Sequence, residues 1–145
     1  MGGANRPNHL KWRLWVVVAV GGTLGVACRE VVSLLVPAAG AVPIAIGIVN
    51  VLGAFLLGFL YEALTRPGIS GDRSSRLKLL LGTGFCGGFT TYSSLAVDTA
   101  LLGINGLPGT ALLYVFGTVV LGAGATWAGL VVGSRSAKAV REPQG

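Results

Sequence analysis

Four stretches of this chain, residues 15–36, 43–64, 77–104 and 110–133, each run for more than twenty residues with hardly a charge. Arg29, Glu30, Glu62, Lys78 and Asp98 are the only charged side chains inside them. About 20 apolar residues in a helix cross the hydrocarbon core of a bilayer. In lipid, backbone N–H and C=O groups must be satisfied within the protein, which leaves helices and closed barrels as the options. Runs of this length are helical, because a spanning strand needs only about 9–11 residues. Only 11% of the chain is charged, against about 25% in a soluble domain, so a water-facing surface cannot be built from it. The sequence therefore predicts an all-α membrane protein with four transmembrane helices, forming one domain over residues 1–145. Residues 1–14 and 134–145 are expected to be poorly ordered segments in water. The first run is too long for a signal-peptide core, and three more follow it.

The charges fix an orientation. Arg6, Lys11 and Arg13 precede the first run, Arg66, Arg73, Arg76 and Lys78 cluster between the second and third, and Arg135, Lys138 and Arg141 follow the fourth. The loops at the other end carry neither Lys nor Arg, and Arg29 alone could approach that side. The positive-inside rule then puts both termini in the cytoplasm of a multi-pass cell-membrane protein. It also accounts for the net charge of +6, and no basic stripe interleaved with aromatics suggests nucleic acid. Cys28 and Cys86 lie in apolar runs and read as free thiols. The single His9 and the lack of any nucleophile–base pair or metal-ligand spacing argue against an enzyme.

Polar groups inside the spans are the candidates for function. In "GGTLGVACRE", Gly21 and Gly25 form a GxxxG face for close helix packing. Arg29 either lines an anion vestibule or anchors at the interface. Asn50, with Ala54 and Gly58 at helical spacing, either bonds a neighbouring helix or turns its NH2 donors toward a water-filled path. In "GTGFCGGFTTYSSL", residues 82–95, Gly82, Gly84, Gly87 and Gly88 weaken a helix, and Thr90, Thr91, Ser93 and Ser94 can stabilise an irregular backbone. This stretch is either an unwound segment whose freed carbonyls hold a small cation or a tightly packed continuous helix. In the fourth span Tyr114, Thr118, Gly122 and Thr126 share a line that reads as a hydroxyl rail or as interhelical bonding. Ala125, Gly129 and Gly133 form a second line that reads as packing.

The pieces "GGTLGVACR", "GIVNVLGAFLLGFL", "GTGFCGGFTTYSS" and "YVFGT", in this order and spacing, resemble the CrcB/Fluc family of fluoride channels across all four spans. That resemblance implies a four-helix subunit, helix 3 broken mid-membrane, dimerising antiparallel. It implies a structural Na+ at the dimer centre, not itself transported, held by backbone carbonyls at positions corresponding to Gly87 and Thr90. It implies a fluoride path along Asn50, Tyr114 and Thr118, with Arg29 at a vestibule. Two phenylalanines three apart in helix 3 complete the family's path. Here those positions are Tyr92 and Leu95, and Leu has no ring edge to offer an anion. The family's motif usually follows the arginine with an aromatic, where this chain has Glu30. A one-sided charge distribution does not suit a chain that inserts both ways. The expectation is therefore one half of a heterodimer with a paralogous subunit of opposite orientation, exporting cytoplasmic fluoride passively and so reducing its toxicity. Two other readings are a non-conducting partner subunit of such a channel, and a small four-helix proton-coupled exporter of cationic compounds. The exporter needs a carboxylate at mid-membrane, whereas Glu30 is beside Arg29 and Asp98 lies toward a helix end.

Overall fold

The computed structural model describes residues 12–65 and 72–139. Arg6, His9, Lys11, Arg66 and Arg141 lie outside the described residues, as do the side chains of Arg73 and Lys138. The described chain is helical almost throughout: α1 (Trp12–Leu35), α2 (Ile44–Leu64), α3 (Asp72–Leu77), a π-helical stretch (Lys78–Cys86), α4 (Gly87–Phe89), α5 (Tyr92–Ile104) and α6 (Pro108–Ala139). Among the described residues, three helices are long and apolar enough to cross a membrane: Trp12–Leu35, Ile44–Leu64 and Pro108–Arg135. The third apolar run of the sequence is laid out differently, as the π-helical stretch followed by α4 and α5. Helix α6 continues to Ala139, past the end of its apolar run, because residues 134–139 contain neither Gly nor Pro to stop it.

The helices associate as two pairs. In the first, α1 lies along the π-helical stretch and α4, with both chains running the same way: Gly21 faces Leu80 and Gly84, and Gly25 faces Phe85 and Phe89. In the second, α2 runs parallel to α6: Gly47 faces Tyr114 and Thr118, Gly58 faces Thr126, and Glu62 faces Gly133. The only buried residues of α1 are Gly21 and Gly25. A Cβ on Gly25 would run into the Phe85 carbonyl and one on Gly129 into the Phe55 carbonyl, so both pairs depend on bare backbone at the contact. This is how helices associate where lipid removes the hydrophobic driving force between them.

Helix α5 returns along α6 through a tight turn. Gly106 takes φ +79, Gly106 N–H donates to the Gly103 carbonyl, and Leu107 N–H reaches back to the Leu102 carbonyl at 2.9 Å. A left-handed glycine closing a helix this way is a Schellman-type ending, and Pro108 then opens α6 where its missing N–H costs nothing. Leu95, Leu102, Ala111 and Tyr114 form the core of the α5–α6 hairpin, with Val42, Ile46 and Val115 against it. The chain directions place the start of α1, the end of α2, α3 and the end of α6 together, so Arg13, Arg76, Lys78 and Arg135 gather at one end of the molecule. Much of the remaining surface is apolar: Leu34, Ile104, Leu113, Val120 and Trp127 are all exposed. On a water-soluble monomer a surface of this kind would be an aggregation liability; lipid or protein must cover it.

Candidate functional site

Helical geometry stops at Phe89 and restarts at Tyr92. Thr90 is extended (φ −79, ψ 154), as is Thr91 (φ −148, ψ 116). The four glycines before this point remain helical. Two of them serve approach to α1: a Cβ on Gly88 would strike the Gly22 carbonyl, and one on Gly84 would come within 2.8 Å of the Val18 carbonyl. The hydroxyls make the interruption. Thr90 Oγ1 donates to the Cys86 carbonyl at 2.9 Å, which also accepts from Thr90 N–H. Thr91 Oγ1 caps α5 by accepting from Ser94 N–H at 3.2 Å, and lies within hydrogen-bonding distance of the Ser93 and Ser94 hydroxyls. A Thr in extended geometry accepting from N3 is an ordinary helix start. Its effect here is to take the Thr90 carbonyl and the Thr91 N–H out of the ladder.

Two side chains from other helices hold the interruption. Asn50 makes both of its bonds to one residue: its Nδ2 donates to the Thr91 carbonyl at 3.0 Å, and its Oδ1 accepts from Thr91 N–H at 2.8 Å. The amide thus replaces the helical partner that the Thr91 N–H has lost and adds a donor to the carbonyl that opens α5. One Nδ2 hydrogen remains without a partner among the described residues. From the other side, Arg29 Nη1 donates to the Gly88 carbonyl at 3.3 Å, a carbonyl at the end of α4 that no following turn can satisfy. Gly53 of α2 makes room for the Thr90 methyl, which a Cβ there would strike. Phe85 and Phe89 stack beneath, with ring centroids 5.7 Å apart.

The carbonyl of Thr90 has left the helical ladder, and Gly87 is exposed with nothing within 4 Å of where a Cβ would stand. Among the described residues no three His, Cys, Asp or Glu side chains gather to hold a metal. A cation at this place would fall to backbone oxygens, which are hard donors of the kind small cations take.

The face expected to carry an anion runs along α6. Tyr114 and Thr118 are each 9% exposed and look across at Gly47. Their hydroxyl protons are committed within the chain: Tyr114 donates to the Pro43 carbonyl at 3.1 Å and Thr118 to the Tyr114 carbonyl at 2.7 Å. Further along the same line Gly122 and Thr126 meet Ala54 and Gly58 of α2, so that part of the line is helix packing. A groove of about 460 Å³ opens beside Tyr114 and Thr118, with Ile44, Gly47, Val51 and Leu113 among its walls. The two helix 3 positions part company. Tyr92 is 81% exposed, whereas Leu95 is 5% exposed and packs into the α5–α6 core.

The family model described as "CrcB-like protein, Camphor Resistance (CrcB)" matches residues 16–130. The chain belongs to the CrcB family. It is 41% identical over 128 residues to the fluoride-specific ion channel FluC 2 of Leifsonia xyli, covering 88% of each chain. It is 42% identical over 114 residues to the fluoride-specific ion channel FluC of Methanopyrus kandleri, covering 78% of this chain and 83% of that one. It is 40% identical over 129 residues to the protein of the same name in Deinococcus radiodurans, covering 87% of this chain and 99% of that one. The matched span takes in α1, α2, the interruption and nearly all of the apolar part of α6.

One residue of this CrcB-family chain escaped the sequence reading as part of the site. Asp98 stands beside the Tyr114 side chain, and its Oδ2 is buried with no hydrogen-bond partner among the described residues. The spacing held a signal: Asp98 lies three residues after Leu95, on the same helix face, and that face meets α6. Glu30, by contrast, is exposed; as the neighbour of Arg29 in a helix it points elsewhere.

Proposed function

We propose that this chain is a subunit of a passive, fluoride-specific channel that exports cytoplasmic fluoride. The observation that carries the reading is the Thr90–Thr91 interruption, clamped by Asn50 and Arg29. In lipid a pair of residues outside the ladder is tolerable only where protein or a cavity satisfies them, and such interruptions are where membrane proteins hold ions. The names of the relatives supply the ion: they are fluoride-specific channels. In this reading the π-helical stretch, α4 and α5 together make a third span, giving four, with its interruption halfway through the bilayer and both termini in the cytoplasm.

Fluoride is small and strongly hydrated, so a narrow path must replace its water with donors weak enough to release it. Asn50 keeps an N–H beside the interruption for this. Tyr114 and Thr118 release their protons from Pro43 and Tyr114 carbonyls by rotating a single torsion each. Tyr92 turns outward, with a positive ring edge and a hydroxyl to meet an anion at the surface. Gly87 and Thr90 would hold a structural Na+ through their carbonyls. When bound, that ion supplies fixed positive charge that lowers the cost of an anion in low dielectric. Arg29 acts at the vestibule through the same element, since its guanidinium is anchored on Gly88. Transport needs no energy source beyond the membrane potential, worth about 2.3 kcal/mol per charge per 100 mV.

We read the functional unit as an antiparallel dimer with a paralogous subunit of opposite orientation. The one-sided charge supports this, because a chain with Arg13, Arg76, Lys78 and Arg135 at one end has one favoured way to insert. The placement of Leu95 favours a second reading, a non-conducting partner: a buried aliphatic in the core offers no contact to an anion. Reconstitution into liposomes with a fluoride electrode separates the two. If vesicles holding this chain with its co-expressed paralogue release fluoride faster than vesicles in which this chain carries Tyr114→Phe and Thr118→Val beside the unchanged paralogue, conduction along this α6 is supported. Equal release in both cases leaves it the silent half. Release of chloride at the same rate as fluoride would overturn the specificity.

A further inference from the structure

We propose that the groove between α2 and the π-helical stretch is a binding site for one acyl chain of an anionic phospholipid, with the headgroup phosphate on Lys78. The groove has a volume of about 380 Å³. Leu57, Leu60 and Leu64 form an apolar wall, and Tyr61, Thr65, Lys78 and Thr83 are its polar side chains. Leu57 to Leu64 is about 10 Å along a helix. Because α2 runs toward the basic end, Leu64 and Lys78 lie at that end of the groove and Leu57 lies deeper. Tyr61 is exposed, as an aromatic with a polar tip is at a membrane–water boundary. Its neighbour Glu62 is turned the other way, against Gly133 of α6, so no carboxylate of α2 faces the groove.

Charge selects the occupant. A zwitterionic headgroup gains little from a lone ammonium, whereas an anionic one is attracted by every cation at this end: Arg13, Arg76 and Arg135 as well as Lys78. The arrangement is repeated across the third segment. Residues two apart on a helix project to nearly opposite faces, and Arg76 accordingly lines a second apolar groove of about 300 Å³, against Val16, Val17 and Val20 of α1. Each flank of the segment that leads to the interruption thus carries an acyl-sized trough with one cation. Lipid in the Lys78 groove would brace that segment against α2.

The test uses the full chain in detergent, titrated with phosphatidylglycerol, phosphatidylcholine or inorganic phosphate, and read by native mass spectrometry and thermal unfolding. Phosphatidylglycerol should be retained and should raise the unfolding temperature above the phosphatidylcholine value. Lys78→Gln should weaken that retention about fivefold, the worth of one lysine near an anionic surface, while Lys78→Arg preserves it. Should Lys78→Gln not fold, Thr83→Trp, which fills the groove from its exposed rim, should displace the lipid with Lys78 intact. Equal retention of the two lipids, retention unchanged in Lys78→Gln, or an equal shift with inorganic phosphate would each overturn the proposal. So would efficient disulfide trapping of Leu60→Cys to a second protomer, which would show the groove covered by protein.

Discussion

At the level of single residues, Asn50 bears more structural responsibility than its chemistry as an anion donor suggests. A lone amide in a span reads as either an interhelical bond or a ligand group, and here it performs the first with one hydrogen left for the second. Both Asn50 bonds go to Thr91, and leaving buried backbone groups unsatisfied costs about 1–3 kcal/mol. Asn50→Ala should therefore lower fluoride flux about tenfold or more, measured by electrode in liposomes, and should also lower the unfolding temperature. Asn50→Asp keeps the acceptor for Thr91 N–H but loses the donor and adds a negative charge; flux should fall as far as in Asn50→Ala. A drop in flux for Asn50→Asp alone would assign Asn50 to the path and not to the clamp. Arg29 behaves in the same manner: the sequence offers vestibule or interface, and the structure puts its guanidinium on the Gly88 carbonyl.

The third apolar segment is the element that departs furthest from a plain span. Its glycines and its hydroxyls look like one signal in the sequence, a single stretch of weak helix. They separate in the structure. Gly84 and Gly88 let α1 approach, and Thr90 and Thr91 turn extended and break the ladder between them. The π-helical winding of Lys78–Cys86 carries no signature readable from composition, since π turns depend on how the segment is packed and are most often found near functional sites. Glycine substitutions sort the two roles. Gly25→Ala places a methyl against the Phe85 carbonyl and the Phe89 amide, backbone that cannot step aside, and should destabilise by about 1–3 kcal/mol, the usual cost of overpacking. Gly124→Ala, in α6 with nothing within 4 Å, should leave the unfolding temperature unchanged or raise it slightly. Thermal unfolding of both in the same detergent is the comparison that matters, and equal behaviour would remove the packing argument.

Across the whole molecule, the parallel pairing of α1 with the third segment and of α2 with α6 collects the cations at one end. That end should face the cytoplasm. In a chain lacking Cys28 and Cys86, Ala39→Cys should react with a membrane-impermeant maleimide added to intact cells, and Ser136→Cys should react only after permeabilisation. Labelling of both positions in intact cells would signal insertion both ways and remove the basis for a paralogous partner. The proposed central ion makes a further demand. Purification and reconstitution with a large organic cation in place of Na+ should abolish fluoride flux, and returning Na+ should restore it; flux unaffected by the exchange would count against a carbonyl-held cation at Gly87 and Thr90.

The sequence by itself determined the solvent, the class and the family. Long uncharged runs admit only helices in lipid, and the ordered motifs from "GGTLGVACR" to "YVFGT" match the CrcB family over most of the chain. It also marked the candidate residues of the spans, because polar groups in apolar runs are few and conspicuous. What each one touches was decided by tertiary structure alone. Asn50 and Thr91 are forty-one positions apart, and Arg29 and Gly88 fifty-nine. Tyr114 finds the carbonyl of Pro43, and Leu95 turns into the core while Tyr92 turns out. Local pattern reports which groups need a partner, since desolvation acts on each residue separately. The partner is set by the packing of whole helices, and no window along the chain contains that.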